Sequence, residues 1–254
     1  MKRIALAVVF FLLAAALPAQ EQEQEYEEAL AAYQQGRIFV AAQAFIKLAE
    51  KGDKKAQLFL GNLYSSGKGV PQDDAEAARW YQKAADKGDA TAQFTLGNMY
   101  STGKGVPQDK AEAMRWYRKA AEQGLPEAQF DLGVMYDTGE GDVQDKAEAA
   151  RWYTEAAGLG NARAQFNLGL LYFKGEGVPQ DKAKAARWYR RAAGQGLAEA
   201  QFALGILCEK GEGVSQDKAE AVRWYRMAAE QGNTNAQASL RRLTGEETPG
   251  KPKP

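Results

Sequence analysis

The sequence predicts an all-α chain, a solenoid of helix hairpins repeated in tandem, and three observations predict it. The five tryptophans, Trp80, Trp116, Trp152, Trp188 and Trp224, stand 36 residues apart. Of the 26 glycines, 20 fall into four columns with the same step, led by Gly61, Gly67, Gly69 and Gly88, which no flexible Gly-rich linker would do. Within each unit, apolar residues recur at helical spacing on both sides of a short Gly-rich loop. Composition agrees with a folded chain: of 254 residues 45% are hydrophobic and 26% charged, too apolar for wholesale disorder.

The elements follow in chain order. Lys2 and Arg3 precede an unbroken apolar stretch from Ile4 to Leu17, and Leu17-Pro18-Ala19-Gln20 offers a small-residue cleavage point after Ala19. Residues 1–19 therefore read as a secretory signal peptide, because about fourteen apolar residues fall short of the roughly 20 that span a bilayer. A retained anchor is the other reading of this segment. With cleavage, the chain is exported to the periplasm or beyond with no stable membrane span, and Cys208, its single cysteine, is expected to be buried rather than reactive. Residues 20–53 follow as an acidic lead-in, Glu21 to Glu28 forming a solvated stretch, and a degenerate capping hairpin marked by Tyr33, Gly36, Ala44, Phe45 and Gly52.

Five full units then occupy 54–243. In the stretch Ala92 to Gly124, Ala92, Leu96, Met99 and Tyr100 mark a first helix, and Ala111, Met114, Tyr117 and Ala121 a second. The segment Gly103 to Gln108 parts them: its glycines permit a left-handed exit and its proline stops continuation. Asp109 is placed to cap the second helix with Glu112 as reciprocal partner, as are Asp73/Glu76, Asp145/Glu148 and Asp217/Glu220. Asp181 meets Lys184 instead and loses that partner. Asp142-Val143 in the third loop and Ser215 in the fifth replace the usual residues, so those two loops are expected to bend differently. Asn235 to Leu243 supply one last first helix as a C-terminal cap, and the Pro-bearing tail 244–254 is expected to be disordered.

These marks, A-x-x-x-L-G-x-x-Y, G-x-G-V-x-Q-D and A-x-x-W-Y-x-x-A-A with a closing glycine, resemble the Sel-1-like repeat family, relatives of the tetratricopeptide repeats, from Lys54 to Leu243. The resemblance implies a right-handed α-solenoid that binds a protein or peptide of the cell envelope in its concave groove. It also implies a weaker alternative, an enzyme, since cysteine-rich relatives are linked to β-lactam binding and hydrolysis. Those relatives carry a cysteine pair in each repeat, and this chain has one cysteine in all. Binding of peptidoglycan or carbohydrate through the groove is a third reading.

Chemistry is excluded more firmly than partners are identified. There is no histidine, which removes His-based acid/base and nucleophile arrangements and the commonest metal ligand. The 33 basic and 33 acidic residues balance, unlike a dedicated nucleic-acid binder. Gly67-Lys68-Gly69 looks superficially like a phosphate loop but lacks its spacing and preceding strand. No catalytic, metal or cofactor site is assigned, and oligomeric state is not legible.

Function is expected where the repeats differ. Four first-helix positions vary while the scaffold recurs: Phe59, Thr95, Asp131, Asn167 and Ala203; Asn62, Asn98, Val134, Leu170 and Ile206; Ser65, Ser101, Asp137, Phe173 and Glu209; Ser66, Thr102, Thr138, Lys174 and Lys210. Their spacing of three, three and one puts them on one helical face. In tetratricopeptide relatives the equivalent face lines the groove, so these are the candidate partner-binding residues. The face changes from small polar side chains to an apolar run, Val134, Leu170, Ile206 and Phe173, which suggests a partner site there. Packing of the same side chains against the neighbouring hairpin is the competing reading.

Overall fold

The computed structural model describes residues 20–142 and 144–245; the expected signal segment, Val143 and residues 246–254 lie outside them. Among the described residues there are helices and turns and no strand. Helix α1 (20–34) pairs with α2 (Ile38–Glu50). Five hairpins follow: α3 (Lys54–Ser66) with α4 (Asp74–Asp86), α5 (Ala90–Thr102) with α6 (Lys110–Glu122), α7 (Pro126–Thr138) with α8 (Lys146–Gly158), α9 (Ala162–Lys174) with α10 (Lys182–Gly194), and α11 (Ala198–Lys210) with α12 (Lys218–Glu230). Helix α13 (Thr234–Thr244) ends at Gly245 in the left-handed region, one residue beyond the expected last helix. The fold is an α-solenoid of helix hairpins. No described helix is long and apolar enough to cross a membrane. The chain forms two compact units that part between Ala120 and Ala121, and each is described by itself.

In the first unit, the stretch Glu21 to Glu28 belongs to α1 with its glutamates exposed, and Glu25 and Glu23 reach Lys51 and Lys55 at 2.7 Å. Ala29 and Ala32 of α1 bury against Phe45, Leu48, Leu60 and Leu63, and Trp80 closes that cluster. Each hairpin closes by a glycine that yields to a tyrosine. At Gly97 a Cβ would lie 2.6 Å from the Tyr117 ring, so only glycine lets α5 and α6 approach this closely. The next hairpin is seated by Trp116, buried among Ala84, Ala85 and Leu96. Gly105, with φ 73°, lies where a Cβ would stand 2.2 Å from the carbonyl oxygen of Asp74, so its loop can rest on the start of α4.

The second unit repeats this grammar. One cluster gathers Ala149, Tyr153, Leu168 and Leu171, and another Tyr189, Leu204, Leu207, Cys208, Tyr225 and Leu240. Cys208 is fully buried, which pushes its thiol up to about 11 and keeps it protonated, with the neighbouring Glu220 adding to the rise. Trp152 is buried like Trp80 and Trp116, whereas Trp188 and Trp224 remain half-buried, the latter donating its indole N–H to Glu220 at 3.1 Å.

Two expectations are corrected. The capping aspartates do accept backbone N–H groups, as Asp109 does from Glu112 at 2.9 Å, but no reciprocal glutamate bond forms. The Asp N–H is already used, bonding the first helix's carbonyl, Asp109 to Tyr100 and Asp181 to Tyr172 at 2.9 Å. Three of the freed glutamates turn to arginines three residues on, Glu76 to Arg79, Glu112 to Arg115 and Glu148 to Arg151, while Glu220 meets Trp224 and Arg190. Nor does Ser215 alter its loop: Gly211 and Gly213 keep φ of 72° and 69°, and Gln216 bonds the Glu209 carbonyl at 2.9 Å as Gln108 bonds Ser101. Those ties, not proline, set the bend.

The column of buried glutamines supplies the polar joint between hairpins. Gln57 and Gln93 donate to the carbonyls of Ala49 and Ala85, and in the second unit Gln129, Gln165 and Gln201 donate to Ala121, Ala157 and Ala193, all at 3.0–3.2 Å. Each adds a second hydrogen bond to a carbonyl at the end of the preceding helix that already accepts the backbone N–H three residues on, as Ala121 does from Gly124 at 2.9 Å.

Candidate functional site

The tyrosine that closes each hairpin also points its hydroxyl at the variable face of the first helix. In the first unit Tyr81 donates to Asn62 Oδ1 at 2.7 Å and Tyr117 to Asn98 Oδ1 at 2.6 Å. Asn62 and Asn98 therefore anchor the hairpin as well as lining the face. Burial leads the rise of the Tyr81 hydroxyl to about 12. Thr95 bonds its own helix at Thr91, and Phe59 is drawn into the capping hairpin, stacked on Phe45 at 4.1 Å and edge-on to Tyr33 at 5.1 Å. Apart from Phe59, the face in this unit is small and polar, with Asn62, Asn98 and Thr95 bonded within the fold.

The second unit solves the same hydroxyl problem differently. Val134 replaces the asparagine on α7, and Tyr153 turns to Asp137 at 3.3 Å, whose carboxylate also pairs with Lys146. Asn167 on the next first helix adds a further hydrogen bond to Tyr153. On α11, Ile206 stands at the asparagine position and Tyr225 donates to Glu209 at 2.7 Å. Burial pushes the Glu209 carboxyl up, but the Tyr225 hydroxyl and Arg242, at 2.7 Å, outweigh it and hold it below its ordinary value. Asp131 is raised to about 6, chiefly by desolvation, which the nearby Arg163 only partly offsets.

On α9 both alternatives are apolar, Leu170 and Phe173. These two and Ile206 are half-buried, packed on one side against the α10 to α13 core and open on the other. Val134 is set in the same way against the α8 and α9 core. The packing and surface readings of these residues are thus both partly right. Lys174 and Lys210 are exposed on the same face, and Lys182 Nζ sits 5.3 Å from the Phe173 ring centroid. The sequence reading missed the five tyrosine hydroxyls. Their signal was present, since Tyr81, Tyr117, Tyr153, Tyr189 and Tyr225 follow the tryptophans and the polar residue alternates between two first-helix positions.

A chain whose helix hairpins recur five times with the same closure of a tyrosine on a first-helix glycine is a helical-hairpin repeat protein. A model of the Sel1 repeat matches residues 54–89, 90–125, 126–161, 162–197 and 198–233. The chain belongs to the Sel1 repeat family, whose members are in general protein-binding, non-catalytic scaffolds. It is similar to a solved Sel1 repeat protein from Oxalobacter formigenes, with 34% identity and a TM-score of 0.78, covering 89% of this chain and 92% of that one. It is also similar to a protective antigen of uropathogenic Escherichia coli with an SLR fold, at 38% identity and a TM-score of 0.80, covering 88% of this chain. The chain spans about half (51%) of that antigen's length. No curated protein matches it.

Proposed function

We propose that this chain is an exported, non-enzymatic scaffold that holds a partner protein of the cell envelope on the first-helix face of α9 and α11. The observation that carries the reading is the change of character at equivalent positions. Asn62 and Asn98 are polar and bonded to their tyrosines, whereas Leu170, Phe173 and Ile206 leave apolar surface open beside exposed lysines. Hairpin packing alone gives no reason for that change, because Asn62 and Asn98 close their hairpins equally well.

Capture of partners from the native envelope tests the reading. A protein crosslinked to the wild-type chain and absent with the Leu170→Asp/Phe173→Asp double variant supports it, provided the variant keeps its helical circular dichroism. Retention of the same partner by the folded variant refutes it. Export has its own test: in cells the chain is expected to begin at Gln20, which N-terminal sequencing of the fractionated protein reads directly.

A further inference from the structure

Four of the five hairpin-closing tyrosines donate their hydroxyl to a first-helix side chain, and Tyr189 does not. Its residue is only 2% exposed, its hydroxyl takes no hydrogen bond from any described residue, and desolvation alone raises its pKa. The three places that serve its counterparts explain this. The position of Asn62 and Asn98 is Leu170, the position of Asp137 and Glu209 is Phe173, and the position from which Asn167 and Ser239 bond Tyr153 and Tyr225 is Ala203. The same closure of the ring on the first-helix glycine, here Gly169, fixes the hydroxyl at the α9 face, between Leu170 and Phe173. A hydroxyl left without a protein acceptor, on a ring otherwise enclosed, can donate to an acceptor that a partner brings.

The charge around it has one sign to spare. Glu209 is held by Arg242, Glu212 by Lys182 at 2.8 Å, and Glu176 by Lys146 and Lys174. Lys210 forms no ion pair among the described residues and stays exposed. We infer that this face binds a partner's peptide segment in which apolar and acidic side chains alternate. Its apolar side chains rest on Leu170, Phe173 and Ile206, an acidic group meets Lys210, and a carboxylate or main-chain carbonyl accepts the Tyr189 hydroxyl. The inference rests on the scaffold reading above and names the partner's chemistry.

A display library of random dodecapeptides selected on the purified chain tests it, with selected peptides then measured by fluorescence anisotropy. Enriched peptides are expected to combine Leu, Ile or Phe with Asp or Glu. Tyr189→Phe and Lys210→Glu are each expected to weaken them about tenfold, near one lost hydrogen bond or charge contact. Urea melts keep this separate from folding, because Tyr189→Phe removes no internal bond and is expected to melt like wild type, while Tyr81→Phe is not. Enriched peptides that bind Tyr189→Phe and Lys210→Glu undiminished, or that are basic, overturn this site and leave the scaffold reading standing. A chain that enriches no peptide overturns both, and a Tyr189→Phe chain as destabilised as Tyr81→Phe overturns the unpartnered hydroxyl.

Discussion

At the scale of the residue, one tyrosine per hairpin joins stability to the candidate binding face. Tyr81→Phe is expected to lower stability by about 1 kcal/mol in urea unfolding, the ordinary net worth of a hydrogen bond, and Tyr189→Phe to leave it unchanged. The glycine beneath the ring is equally constrained. Gly97→Ala puts a methyl 2.6 Å from Tyr117 and is expected to cost about 1–3 kcal/mol despite the better helix propensity of alanine. Asp131 gives a pH dependence with a defined sign. Its carboxyl is raised from 3.8 to about 6 in the folded chain, so the protonated form is favoured there. Its contribution to stability is complete below about 4 and is lost as pH rises through about 6. Asp131→Asn is therefore expected to stabilise the chain at pH 7 by about 1 kcal/mol, a figure discounted for solvent, and to flatten the stability profile between those pH values. The columns of Trp, Tyr and Gly were legible as repeats. What each side chain touches was not, because periodicity assigns a face and says nothing of which of two nearby positions meets a hydroxyl.

At the scale of the element, helix ends are set by side chains whose spacing the sequence displays and whose bonds it only half displays. The capping aspartates stand where expected, and Asp217→Ala is expected to cost about 1 kcal/mol. The expected glutamate partner was misread because the pattern carries no trace of the competing acceptor, the carbonyl at the end of the first helix. The fifth loop was misread for a related reason. Proline is conspicuous in a sequence, but the bend is held by the glutamine that follows, whose bond to the first helix survives at Ser215. The Ala-Gln pair was visible as a column and its role was not. Gln129→Leu is expected to destabilise by about 1 kcal/mol in urea melts, because it removes the buried side-chain bond across the joint while the Gly124 N–H still serves the Ala121 carbonyl.

At the scale of the whole molecule, stability is a sum over hairpins and the joints between neighbours, as in other stacked repeats. The ion pairs lie mostly on the surface, and such pairs are individually worth about 0–1 kcal/mol, so the repeating alanine, leucine and aromatic clusters hold the fold. The architecture was legible because every hairpin says the same thing. The site was only partly legible, since it is defined by departures from the repeat: Leu170, Phe173 and Ile206 where polar residues close other hairpins, and Tyr189 left without an acceptor. The most direct measurement places a photo-crosslinking amino acid at Phe173 or Ile206 on that face, and at Arg187 or Met227 on exposed second-helix positions, in the chain expressed in its own cells. One partner crosslinked from 173 and 206 and not from 187 and 227 is the predicted result. The same partner crosslinked only from 187 and 227 would contradict the assignment of function to the first-helix face.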